Sequence, residues 1–256
     1  MRYIQKGAEP KSLREYKAKA VAARAVDPTV QITFRRMDEG GLRDELAREQ
    51  GDLCGYTGKY LRGGGHVEHI KPVTCCKEET EAQGRVWGAA PEEDLDHHNL
   101  IAAVYKPLAG KSVLEERPGE TPEERDERLR RDSYGAVKRQ EEYREDMVKP
   151  TEPSCERRLE YLEDGQIIAA KADDEGAVWT ITTLNLWHPE LKEEREGAIL
   201  GALYEPDPDD PTNPDEVLVD DATLQEIVDR MGTFDDDGRL PEYEFAIVQC
   251  AKRLLP

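Results

Sequence analysis

Residues 53–72 read LCGYTGKYLRGGGHVEHIKP. A cysteine, Cys54, opens the stretch, and Gly63, Gly64 and Gly65 then separate two short runs that alternate as strands do, 56–61 and 66–70. The second run carries His66, Glu68 and His69 within four residues. A histidine, with its near-neutral pKa, is the natural base for activating a water. A carboxylate beside it can anchor a divalent cation that polarises a phosphate and stabilises the leaving oxygen. Glu68 and His69 are neighbours, so on a flat strand they face opposite ways. They converge only if the strand bends near its end, where Pro72 interrupts it. The plain alternative is a structural hairpin that happens to carry histidines.

Downstream, residues 71–94 read as loop. Asp96-His97-His98-Asn99-Leu100-Ile101 then reads as a helix entry, with Asp96 as N-cap and Leu100, Ile101 and Val104 as its apolar face. An Asn at that point can hold the loop bearing the base through bonds to the backbone. Thr121-Pro122-Glu123-Glu124 is a capping box with Pro at the first helical position, predicting a highly charged helix to about Met147. Upstream, helices are predicted over 11–26 and 41–50, the second stopped by Gly51. After Pro150, strands 157–162 and 166–170 flank an Asp164-Gly165 turn, and 179–186 reads as a strand leading into a helix over 189–203. Residues 205–221 are acidic and Pro-rich, a linker or long loop, and helices over 221–231 and 242–255 close the chain. The expected fold is α+β, mostly helical, around a small ββα element. The expected segments are 1–50 (helical), 51–112 (the ββα module) and 113–256 (a charged helix and an α+β region with a small hairpin, a candidate partner surface).

The chain has 256 residues, 37% hydrophobic and 36% charged, with a net charge of −20. No apolar run approaches the roughly 18 residues of a membrane span, and the first residues lack the apolar core of a secretory signal. Five cysteines at irregular spacing argue against a secreted disulfide framework, so a cytoplasmic location and no membrane partner are expected. The charge is uneven: residues 1–75 hold 14 Lys and Arg against 10 Asp and Glu, so the acidity lies in the rest. A mildly basic front is therefore joined to a strongly acidic back, which fits a polyanion met at one end only. Residues 233–244 match a calcium loop at several positions, but Thr233 in first place and Pro241 favour a polar turn.

In order along the chain, Cys54-x-Tyr56-x-Gly58, His66-Val67-Glu68-His69-Ile70-Lys71-Pro72 and Leu95-Asp96-His97-His98-Asn99-Leu100 resemble the HNH nuclease motif. More narrowly, the chain resembles the PtuB-like HNH subunits of Septu-type and retron-associated antiphage systems. The likeness extends to the opening MRYIQKGAEPKSLREYK, to Lys149-Pro150-Thr151 and Cys155-Glu156-Arg157, and to residues 181–191 with Arg195 beyond. The resemblance implies a metal-dependent endonuclease acting on DNA or RNA, with Mg²⁺ or Mn²⁺ as cofactor and a PtuA-like ATPase as partner. In that reading His69 is the general base, Asn99 positions it, and Glu68 ligates the metal with His66 and His98 as accessory ligands. Lys59, Arg62, Lys71 and Lys111 would touch the nucleic acid. Structural zinc is not expected, because Cys54 is followed at the Cys-x-x-Cys spacing by Thr57 and Val104 stands where a second pair would begin. The competing reading is a decayed HNH scaffold that only binds the ATPase.

Overall fold

The computed structural model describes residues 1–63, 65–104, 118–206 and 216–256. The chain is α+β: ten helices and three two-stranded antiparallel sheets among the described residues. Helix α1 (Lys11–Val26) buries Leu13 and Ala20, seven residues apart on one face. Helix α2 (Gly40–Glu49) buries Leu42 and Leu46, and Gly51 takes φ 65° just beyond it, ending the helix as a left-handed residue does.

The first sheet departs from the sequence expectation. Strand β1 (Gly65–His69) pairs with β2 (Leu100–Val104), with His69 opposite Leu100 and Gly65 opposite Val104. Residues 56–61 are not a strand; only an isolated bridge, Leu53 to Tyr60, joins that turn. Nor do residues 96–104 form a helix. Asp96 does cap a turn, accepting from the His98 N–H, but it is a single 3₁₀ turn (His97–Asn99) that runs straight into β2. The reason is burial on both faces: Leu100, Ile101, Ala102 and Ala103 are all fully enclosed, a continuous apolar run that a helical pattern imitates. The outer edge of β2 is completed by a side chain. Gln50 accepts from the Ala102 N–H at 2.7 Å and donates to the Ala102 carbonyl at 2.9 Å, as a neighbouring strand would.

Between β1 and β2 lies α3 (Val73–Ala82), where a loop was expected; Pro72 stands immediately before it and Cys76 and Thr80 turn inward. The capping box is as read, Thr121 N–H to Glu124 and Glu124 N–H to Thr121 Oγ1, and it opens α4 (Pro122–Arg131). That helix stops well short of Met147, because Gly135 at φ 66° precedes a separate short helix, α5 (Ala136–Arg139). Helix α6 (Cys155–Arg158) leads into the hairpin of β3 (Leu159–Tyr161) and β4 (Ile167–Ala169), turned by Gly165 at φ 75°. Residues 179–186 are not a strand: α7 (Glu175–Thr183) starts at the Asp174 cap, and Gly176, Ala177, Thr180, Ile181 and Thr183 are buried. Their β-branched content favours strands in isolation, but tertiary packing overrides that preference. Helix α8 (Pro189–Leu203) matches its expected bounds. Strands β5 (Tyr204–Pro206) and β6 (Glu216–Leu218), α9 (Asp221–Asp229) and α10 (Glu244–Leu254) complete the described chain.

One hydrophobic cluster draws on all three expected segments, with Leu13 and Leu42 from the first, Tyr56 and Leu100 from the second, and Ile181, Leu203 and Cys250 from the third. Arg195 is buried within this frame and donates to the carbonyls of Gly165 (2.8 Å) and Leu186 (2.7 Å), fastening the β3–β4 turn to the start of α8. No described helix is long and apolar enough to cross a membrane.

Candidate functional site

The end of β1 and the loop entering β2 lie side by side, and Asn99 joins them. Its Oδ1 accepts from the Lys71 N–H at 2.7 Å, and its Nδ2 donates to the carbonyls of Lys71 and Glu93, both at 3.1 Å. The Ile70 N–H adds a bond to the Asn99 carbonyl at 2.9 Å. A short amide therefore pairs both backbone groups of Lys71 and a third from the opposite loop, which is the loop-holding role read from the sequence.

His69 Nε2 lies 2.9 Å from the Asp94 carbonyl oxygen. A carbonyl only accepts, so Nε2 carries the proton and the neutral ring keeps its lone pair on Nδ1. Burial pushes the imidazole below its ordinary pKa, against the opposing pull of the Asp94 bond and of Glu68. The Phe34 ring stands edge-on to the imidazole, 4.5 Å between centroids, and fixes its plane. Asp94 also reaches Phe34 directly: its Oδ2 accepts the Phe34 N–H at 2.8 Å. Burial raises the Asp94 carboxyl to about 6, since that bond is its principal compensation.

His66 and Glu68, two residues apart on β1, share a face and meet at 3.2 Å. The other Glu68 oxygen is taken by Arg139, whose guanidinium is 1% exposed. Arg139 also donates to the carbonyls of His69 and Ile70, each at 2.6 Å, and lies over the Tyr56 ring. Burial works against the Glu68 charge, but the His66 bond and the Arg139 guanidinium hold its carboxyl below the usual range. The strand bend that would bring Glu68 onto His69 is not what fixes either residue; separate partners on separate faces do.

A second knot supports the same loop. Glu49 accepts from the Gly7 N–H (2.9 Å), from Lys6 Nζ (2.9 Å) and from His97 Nε2 (3.1 Å), while Lys6 also reaches the Leu100 carbonyl. Despite the cost of burial, these partners hold the Glu49 carboxyl at about 2. The N-terminal segment, α2 and the residues on either side of Asn99 are thereby tied together.

The remaining expected residues are placed less favourably. His98 is 68% exposed and pairs with Asp96 at 3.5 Å. Lys59 binds Tyr134 (2.9 Å), Glu190 (3.1 Å) and Glu194 (2.8 Å); Lys71, mostly buried, binds Glu79 and Glu93; Arg62, exposed, is 3.8 Å from Glu242. All three cations are matched by carboxylates of the acidic remainder. Lys111 lies outside the described residues. Among the described residues no three His, Cys, Asp or Glu side chains are grouped to hold a metal ion. His66 and Glu68 supply two donors, and one Glu68 oxygen is committed to Arg139, so the described ligand set is incomplete. The cysteines are free thiols, four of the five buried.

Phe34, Asp94 and Arg139 are absent from the sequence reading. Arg139 is one cation in a run of charges, and only its burial distinguishes it; Phe34 and Asp94 act across the fold, which no local pattern reports. Compared with known proteins, the chain matches no family model and no curated sequence.

Proposed function

We propose that the chain is an HNH-type endonuclease that hydrolyses phosphodiester bonds in DNA, with RNA as the alternative substrate. One observation carries this reading: His69 has its tautomer set by the Asp94 carbonyl, beside a loop stitched by Asn99. His69 Nδ1 takes the proton of the attacking water; Asn99 positions the base and does no chemistry itself. The reading is supported by the pairing of β1 with β2, which brings His69 opposite Leu100 and beside the Asn99 loop. Mg²⁺ or Mn²⁺, bound through Glu68 and His66, would supply Lewis-acid stabilisation of the phosphate. The proposal places the protein in the cytoplasm, in an antiphage complex with a PtuA-like ATPase, as the resemblance implies. The acidic back half would repel nucleic acid from the lone subunit and make that partner important.

A second reading is favoured by the guanidinium on Glu68: a decayed HNH scaffold in which Arg139 has replaced the metal and the chain only binds the ATPase. Cleavage of plasmid DNA and total RNA with Mg²⁺ or Mn²⁺ separates the two. Wild type and His69→Ala are compared, each alone and with the ATPase. The nuclease reading requires metal-dependent cutting that falls about 10²-fold or more in His69→Ala. A folded chain that binds the ATPase and never cuts is the scaffold.

A further inference from the structure

With Lys59, Lys71 and Arg62 each facing carboxylates, the cations free to meet a polyanion lie elsewhere. Residues 11–36 hold seven Lys and Arg against two Asp and Glu, in a chain of net charge −20. Within this island Lys19, Arg35 and Arg36 are exposed, and none has a carboxylate partner among the described residues. Arg35 and Arg36 belong to a 3₁₀ turn (Phe34–Arg36) packed against the candidate base. Phe34 touches the His69 ring, and its N–H is held by the Asp94 side chain while the Asp94 carbonyl holds His69. One residue thus fixes both the base and the start of the basic turn. A shallow groove of about 710 Å³ continues from Arg36 to Lys19, floored by Tyr16, Ala20 and Ala23 of α1. Tyr16 is itself fastened there, donating to the Thr33 carbonyl at 2.7 Å.

We infer that this face, Arg35 and Arg36 with Lys19, is the surface that holds the phosphodiester backbone of the nucleic acid and delivers it to His69. The inference rests on the nuclease reading above. Flexible cations in an open groove contact phosphates, not base edges, so binding is independent of sequence and steeply dependent on salt. The acidic remainder repels the same polymer, so the island sets both the docking position and its orientation.

The test is fluorescence anisotropy of the full chain with a 30-base-pair DNA duplex and a 30-nucleotide RNA, titrated at several salt concentrations. R35E/R36E is compared with K171E/K252E, which makes the same change in net charge at exposed lysines elsewhere in the chain. The expected result is a loss of about tenfold or more for R35E/R36E at low salt, and a salt slope reduced by about two contacts. K171E/K252E stays close to wild type. Equal weakening in both doubles would show that only net charge matters and would overturn the assignment. Wild-type binding and cleavage in R35E/R36E, with His69→Ala inactive, would overturn it while leaving the nuclease reading intact. A wild-type chain that binds neither probe would overturn both. R35Q/R36Q repeats the comparison without introducing carboxylates, and thermal melting confirms that each variant is folded.

Discussion

Replacing Arg139 by methionine keeps most of the stem's volume and removes the guanidinium. Four groups lose their donor: the Glu68 carboxylate, the carbonyls of His69 and Ile70, and more weakly the Glu142 carbonyl at 3.3 Å. Glu68 is only 16% exposed, so its charge is left with His66 alone in a poorly solvated place. Removing one partner of a buried pair costs about 3–5 kcal/mol, chiefly from the stranded charge. For a chain of this size each kcal/mol lowers the melting temperature by about 2–4 °C, so a fall of about 6–20 °C is expected. Urea unfolding of wild type, Arg139→Met, Glu68→Gln and the double variant forms a cycle. The double should recover a substantial part of the loss, because no carboxylate then remains unpaired. A single-variant cost under about 1 kcal/mol, or strict additivity in the cycle, would refute the view that Arg139 neutralises Glu68 in the folded state.

Two further outcomes follow from the loop. Asn99→Ala leaves three backbone groups without their side-chain partner, and at about 0.5–1.5 kcal/mol per bond the loss is about 1.5–4.5 kcal/mol; a change under about 1 kcal/mol by urea melts would mean that other groups hold the loop. Glu49 has a folded-state carboxyl depressed from 4.5 to about 2, so its contribution is present above pH 4.5 and lost as pH falls toward 2. Glu49→Gln should therefore be less stable than wild type near neutrality and decline less across that window; parallel stability curves for the two proteins would contradict this.

Much of the helical scaffold was legible because its signals are local. Helices α1 and α8 and the Thr121 capping box depend on spacing, caps and Pro placement within one turn. The misread elements depend on distant packing. Leu100–Ala103 looks helical by pattern and is a strand because it is buried on both faces, and Ile181-Thr182-Thr183 looks like a strand and is helical under its neighbours. The same division holds at the site. Asn99 and His69 announce themselves as residue types, and each is held by hydrogen bonds to the backbone of a distant loop. The choice of partners does not: Asp94, Phe34 and Arg139 lie 25, 35 and 70 residues from His69, and nothing near each in the chain marks it.

The pairing of β1 with β2 sets the order in which the molecule can be built. His69 meets Leu100 only after residues 70–99 have been closed into a loop, and that closure must be made before any of the compensating bonds form. Helices α1, α2 and α8 need no such closure and can form on the timescale of local chain motion. The Asn99 bonds span the same gap, so they are in place only when the two strands have found their register. The setting of the His69 ring therefore waits on a long-range register and not on local helix formation, so a variant that slips β1 against β2 would keep its helices and lose the bonds around Asn99.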